Sequence, residues 1–170
     1  MDITQLILDD HHEQRRLFAM IEQIDPSDTL ALHAMWTRLS AFLEVHAKAE
    51  EAIFYPELLR VGRQTDGKSS TSHETKDAIH DHNDIRDAIA AVAGHPIGND
   101  EWIKSVAAAN KANSEHMSEE EREGLTDFRR KAGLQMRHDL AVRFACFDAI
   151  HISGVKPVDV DPAAYVPAND

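Results

Sequence analysis

The sequence predicts an all-α protein: an antiparallel, up-down four-helix bundle with an additional C-terminal helix and an extended tail. Three observations carry that expectation. Apolar residues recur at i, i+3, i+4 and i+7 along five segments, which places them on one face of a helix. Breakers are few, with 7 glycines and 6 prolines in 170 residues, and β-branched runs are scarce. The breakers fall between the periodic segments rather than inside them.

The first helix is expected over about residues 3–24, with Ile3, Ile7, Phe18, Ile21 and Ile24 in one stripe. Asp25-Pro26-Ser27 ends it. The second, about 28–59, carries Leu32, Met35, Trp36, Leu39, Phe42, Leu43 and Ile53. The polar stretch Val61 to Ser72 reads as a loop. A third helix over about 72–93 holds Ile79, Ile85, Ile89 and Val92, and Gly94-His95-Pro96-Ile97-Gly98 stops it. A fourth over about 100–122 holds Trp102, Ile103, Val106 and Ala109. After Gly124, a fifth over about 126–151 holds Leu140, Phe144, Phe147 and Ile150. Residues 153–170 contain Gly154, Pro157, Pro162 and Pro167 and read as extended. Ser27 or Asp28, Ser72 with Thr75, and Asn99 or Asp100 suit the helix N-caps. Short links favour antiparallel neighbours. Residues 1–123 are therefore expected to form the bundle, and 124–170 a helix and tail packed on it.

Charge narrows the function classes. Lys and Arg total 18 against 30 Asp and Glu, a net charge of −12. Phosphate backbones and anionic lipid repel such a chain, so neither nucleic acid nor a membrane surface is an expected partner. No apolar run approaches the ~20 residues of a membrane helix. The opening MDITQLILDD lacks a basic and then apolar leader, so a cytoplasmic location is expected. Cys146, the one cysteine, rules out an internal disulfide or a Cys-rich zinc site and is expected to be buried.

Histidine is abundant, at 11 residues, and part of it is patterned. Asp10-His11-His12-Glu13-Gln14-Arg15 and Asp81-His82-Asn83-Asp84-Ile85-Arg86 share D-H-x-x-x-R, 71 residues apart. His46-x-x-x-Glu50-Glu51 and His116-x-x-x-Glu120-Glu121 repeat 70 residues apart. Residues at i and i+4 share a helix face, so His46 with Glu50, and His116 with Glu120, can aim an imidazole and a carboxylate at one point. Leu39, Leu43 and Ile53 lie in the stripe of His46; Ile79, Ile85 and Ile89 share the face of His82. The donors thus point into the core, where unpartnered polar groups cost several kcal/mol on a rough scale. Two cations bridged by Glu50 and Glu120, with His11, His46, His82 and His116 as nitrogen donors, would remove that cost. Nitrogen and oxygen donors without thiolate suit iron or manganese, with zinc a third choice. The D-H-x-x-x-R alignment and the face shared with Ile7 and Phe18 select His11, with His12 the alternative.

These residues, with Phe54-Tyr55-Pro56 after the first H-x-x-x-E-E, make residues 1–123 resemble the hemerythrin-like HHE cation-binding family. The resemblance implies a four-helix bundle around two iron ions joined by an oxo or hydroxo bridge. It also implies a small ligand: dioxygen, nitric oxide or peroxide. Respiratory hemerythrins carry a further His four residues before the third-helix ligand, and Ala78 stands at that place here. One iron would then lack a protein nitrogen, which favours catalase-like peroxide or nitric oxide chemistry over reversible oxygen carriage. A non-catalytic oxygen, nitric oxide or iron binding or sensing protein is the alternative, and a metal-free interaction module with the fifth helix as partner face is a third.

Tyr55 has two readings. On a straight helix it lies about half a turn off the face of His46. Pro56 biases it away from α geometry, so it is either an aromatic packed at the helix end or a phenolate ligand. Glu51, Glu121 and His80 are expected on polar faces, and Arg15 and Arg86 are expected to pair with carboxylates at helical spacing. Gly62-x-x-x-x-Gly67-Lys68-Ser69 matches the P-loop letters but lacks the preceding strand that a P-loop requires, so it reads as part of the loop.

Overall fold

The computed structural model of the chain describes residues 1–66 and 70–169. It is all-helical, with no strand among the described residues. The elements are α1 (Ile3–Ile21), α2 (Thr29–Ala49), a π-helical turn (Glu50–Phe54), α3 (Tyr55–Asp66), α4 (Ser70–Val92), α5 (Asp100–Arg122), α6 (Gly124–Lys131), α7 (Leu134–Ile150) and α8 (Pro162–Asn169). Among the described residues, no helix is long and apolar enough to cross a membrane.

Side-chain caps start α1, α2 and α5. The carboxylates of Asp2 and Asp28 accept from the Thr4 and Ala31 N–H groups at 3.0 Å each, and the Asn99 side-chain oxygen accepts from Trp102 N–H at 2.7 Å. Each satisfies one backbone donor that helix geometry leaves free. Ser72 is not a cap, because α4 already begins at Ser70. The expected loop 61–72 is correspondingly shorter: α3 runs through Asp66. Gly62 belongs to α3, where its missing side chain leaves room for Thr71 of α4. Gly67, Lys68 and Ser69 lie outside the described residues.

The fifth predicted helix is two. Ala132 and Gly133 adopt extended backbone and separate α6 from α7. Gly133 has the lowest helix propensity short of proline, and three basic residues in the last turn of α6 suit that terminus. The tail is not extended throughout. The Asp161 carboxylate accepts from Ala163 N–H at 2.9 Å, and Pro162 opens α8. Proline fits the first helical position, so Asp-Pro is a start signal there rather than a break. The side-chain amide of Asn83 clamps the tail to α4, donating to the Val160 carbonyl at 2.7 Å and accepting from its N–H at 3.0 Å.

α1 packs on α2 and α5, and α4 packs on α5 and α2. α7 lies against α1, α2 and the π-turn, while α8 lies against α4 and α3. The apolar interior is divided. One part gathers Ile3, Ile7, Ile53, Phe54, Leu58, Ile79, Phe128 and Phe144. The other gathers Leu17, Phe18, Leu39, Leu43, Trp36, Val92, Trp102 and Val106. Ile103 is 40% exposed and Ile150 77% exposed, so neither belongs to the stripe expected for it. Cys146 is exposed rather than buried. It stands two residues past the buried Phe144, more than half a turn around α7 from the inward face.

At the end of the second core, Gly98 has φ +82°, and a Cβ there would collide with the Pro26 carbonyl. The α4–α5 turn thus rests directly on the α1–α2 turn. Gly98→Ala adds the left-handed cost of roughly 1–2 kcal/mol for an L-residue to that collision. A drop in the urea midpoint is the expected result, measured on the variant with unchanged m-value.

Candidate metal centre

Four helices each place one buried histidine between the two apolar parts. His11 of α1 lies between Ile7 and Phe18, His46 of α2 between Leu43 and Ile53, His82 of α4 between Ile79 and Ile85, and His116 of α5 between Ala109 and Leu125. His12 is exposed, and so is His80, which pairs with Asp84 on its own helix. Glu50, 0% exposed, sits at the centre. Its Oε1 is 3.0 Å from His46 Nε2 and 4.0 Å from His11 Nε2, and its Oε2 is 3.2 Å from His82 Nε2 and 4.0 Å from His116 Nε2. One carboxylate therefore turns one oxygen to each pair of imidazoles. Glu120 brings Oε2 within 3.4 Å of His11 Nε2. The His82 and His116 Nε2 atoms are 3.2 Å apart.

Two groups could each hold a cation: His11, His46 and Glu50, and Glu50, His82 and His116, with one donor atom per residue within 4.8 Å of the others. The polar atoms at the centre lack other partners. His11 Nε2, His46 Nε2 and both oxygens of Glu50 and of Glu120 are buried without a hydrogen bond among the described residues. Such atoms are rare in folded proteins and call for a bound species. A divalent cation fits this donor set, because every open atom is a lone-pair nitrogen or oxygen.

The outward nitrogen of each imidazole faces a carboxylate. His46 Nδ1–H donates to Asp10 at 3.1 Å, His82 Nδ1–H to Glu51 at 3.2 Å, and His11 Nδ1–H to Glu121 at 3.0 Å. His116 Nδ1 stands 3.6 Å from Asp81. A carboxylate only accepts, so the Nδ1 proton is placed and Nε2 is left to aim inward. This explains the whole sequence repeat. The Asp of each D-H backs the His of H-x-x-x-E-E in the same half. The second Glu of each H-x-x-x-E-E backs the D-H histidine of the opposite half. The Arg of D-H-x-x-x-R holds that Glu: Arg15 reaches Glu121 at 2.7 Å and Arg86 reaches Glu51 at 2.6 Å. Both arginines therefore cross between elements for these contacts instead of pairing at helical spacing. Glu51 is buried and Glu121 half-buried, and neither lies on a solvated face. The repeated Asp, second Glu and Arg were the signal, and what the spacing hid was that they act between halves.

The electrostatics follow from this packing. Burial pulls the imidazole of His82 down, but Glu50 and Glu51 outweigh it and raise its pKa to about 9. Burial is likewise overcome at His46 by Glu50 and Asp10, and at His11 by Glu120 and Glu121, so both rise. Burial pushes Glu50 up, yet His46 and His82 hold it well below the ordinary carboxylate range. Glu51 falls to about 2 against its own burial, through His82 and Arg86. The first effect on Glu121 is the His11 hydrogen bond, which with Arg15 takes it to about 2 despite burial. Without a cation the cluster holds protons as its counter-charge, and a metal would displace them.

The π-turn begins at Glu50 and changes the phase of everything after it. Tyr55 N–H donates to Glu50 O, five residues back. A π-turn advances more residues per turn than an α-helix, so Tyr55 is carried back toward the cluster. Its backbone is α-helical (φ −63°, ψ −36°), so Pro56 does not push it out of helix geometry. What Pro56 does is remove the next π-type donor, leaving the Glu51 carbonyl without one. The Tyr165 hydroxyl of α8 donates to that carbonyl. The Tyr55 ring packs beside Phe54 and His82, and its hydroxyl is 3.4 Å from His82 Nε2. Burial, with the charges of Glu120 and Glu50, raises the phenol well above its usual pKa.

Ala78 is one helical turn before His82 on α4. Its short side chain, with Tyr55, His116 and Glu120, lines a cavity of about 30 Å³. That is room for one or two water-sized groups.

The profile described as Hemerythrin HHE cation binding domain matches residues 2–125. No curated protein and no solved structure matches the chain. With a match over most of its length, carried by the helices that supply the four buried histidines, the chain belongs to the hemerythrin HHE cation-binding domain family.

Proposed function

We propose that this protein is a non-haem di-iron protein with catalase-like peroxide or nitric oxide chemistry. In this reading residues 1–123 form an antiparallel up-down four-helix bundle, with 124–170 packed on it. His11, His46 and Glu50 would hold one ion, and His82, His116 and Glu50 the other. Glu120 would be the second bridge, and Tyr55 would take the coordination place that Ala78 leaves without nitrogen. The observation that carries this is the set of buried, unpartnered donor atoms around the two-faced Glu50 carboxylate.

When bound, a pair of redox-active irons supplies two-electron exchange with peroxide, or a binding place for nitric oxide or dioxygen. The chain's own work is positioning. The carboxylates of Asp10, Asp81, Glu51 and Glu121 orient the imidazoles. The two apolar cores exclude water from above and below. Ala78 leaves the small opening through which a ligand of few atoms reaches the centre, and Tyr55 holds a proton at its hydroxyl that metal binding would release.

Two measurements test this. Elemental analysis of protein produced with iron is expected to give two irons per chain, and added peroxide is expected to give oxygen. Spectral change with peroxide or nitric oxide but no turnover would replace the enzyme by a binding protein; no bound metal would remove both. For Tyr55, an iron-loaded tyrosinate band in the visible is expected and should vanish in Tyr55→Phe. A spectrum unchanged by the substitution would return Tyr55 to a packing role.

A further inference from the structure

The cavity beside Ala78 has a rim of one sign. Glu74, Asp77, Asp81, Glu119, Glu120 and Glu123 all line it, and among the described residues no lysine or arginine does. Surface acids alone would be unremarkable on a chain of net charge −12. Here a second observation sits at the inner end: Glu120 is only 6% exposed, and beyond the 3.4 Å approach of Oε2 to His11 Nε2 neither of its carboxylate oxygens has a hydrogen-bond partner among the described residues. The rim acids and the buried acid belong to one continuous opening, contributed by facing segments of α4 and α5. At its base stands His116, whose Nε2 is 4.0 Å from Glu50.

Resting on the metal-centre reading above, we infer that this acidic opening is the loading route of the centre: a cation-selective entrance that draws divalent metal ions to Glu120 and His116 and disfavours anions. A cleft lined by one charge and walled by apolar groups focuses its field, and such focusing raises association rates by roughly 10- to 1000-fold at low ionic strength. Partners on the outer acids are open to solvent. Asp77 faces His73 at 3.3 Å and Glu123 faces Arg122 at 3.0 Å, both at exposed positions where salt screens the pair. The opening is also small. The space holds about 30 Å³, room for one or two water-sized groups, and carboxylates there replace the water an ion gives up. Neutral peroxide and nitric oxide are not repelled by such a rim, whereas azide or nitrite would be.

The test is stopped-flow uptake of Co²⁺ by the metal-free full chain, read from the visible absorption of the bound ion across a salt series. The triple variant Asp77→Asn/Glu119→Gln/Glu123→Gln is expected to load at least ~10-fold more slowly at low salt, with a flatter salt dependence and the same final metal content. Glu22→Gln/Asp100→Asn/Glu101→Gln removes the same formal charge near the start of α5 and the end of α1, and is expected to load like the parent chain. Ala78→Leu fills the opening and is expected to slow loading without changing charge. The inference is overturned if the rim variant loads at the parent rate with the parent salt dependence, or if the distant variant slows equally, which would make net charge the cause. A lower final cobalt content at unchanged rate would also overturn it, by making the rim acids ligands. Parent protein that is folded by circular dichroism yet takes up no cobalt would bring down the metal centre itself, and this route with it.

Discussion

Glu50→Gln is expected to empty the centre. The amide keeps the size and loses the charge, and the two oxygens of Glu50 between them face all four imidazoles. Both three-residue groups contain it, so both ions lose a ligand at once. Elemental analysis after iron loading should show a loss greater than the roughly 10- to 100-fold affinity change typical of an outer carboxylate. Glu121→Gln is the comparison: its carboxylate bonds His11 and Arg15 and reaches no Nε2 atom among the described residues, and the substitution should weaken binding within that smaller range. Circular dichroism separates loss of metal from loss of fold. The substitution also strips the metal-free cluster of its central anion. That takes one of two carboxylates from His46 and from His82, which keep Asp10 and Glu51; breaking a buried pair costs about 3–5 kcal/mol. A full metal complement in Glu50→Gln would show that the site is elsewhere.

The stability of the protein should depend on pH differently in the metal-free and loaded states. In the metal-free protein His82 has its pKa raised to about 9, and His11 and His46 are raised as well. A raised histidine stabilises fully below its unfolded value near 6.5 and loses that contribution as pH climbs through the folded value. His82 alone accounts for at most on the order of 3 kcal/mol between those limits. Glu51 and Glu121, lowered to about 2, act at the other end: their contribution is present above the unfolded value near 4.5 and lost as pH falls through 2. Metal-free protein should therefore be most stable between about pH 5 and 6.5. The metal takes the place of the histidine protons, so the stabilisation it adds should grow from pH 6.5 toward 9. Thermal melts with and without chelator across that range would show the two curves separating. A constant offset would mean that no histidine proton is displaced.

Much of the architecture was legible because it depends on local rules. Helical periodicity placed α1, α2, α4 and α5, and Asp28 and Asn99 capped where short polar residues precede an apolar repeat. The internal repeat pointed at His11, His46, Glu50, His82, His116 and Glu120 as one set. The misses share a cause. Pro162 counts toward an extended tail in the sequence, whereas it opens a helix capped by Asp161. Ala132-Gly133 was read as helix interior, although nothing in periodicity distinguishes one long helix from two short ones. Cys146 was assigned to a core that lies on the other side of α7.

By itself, the sequence determined that the chain is helical and that two matched halves each aim a histidine and a His–Glu pair inward. Those properties follow from residue spacing on a single helix, which obeys a fixed geometry wherever the helix sits. Only the tertiary structure decided how the halves serve one another. It put Glu51 behind His82 and Glu121 behind His11, sent Arg15 and Arg86 between elements, and used the π-turn at Glu50 to rotate Tyr55 into the cluster. Contacts between helices depend on where two surfaces meet, and a one-residue change of phase moves every side chain beyond it; neither quantity is written in local spacing.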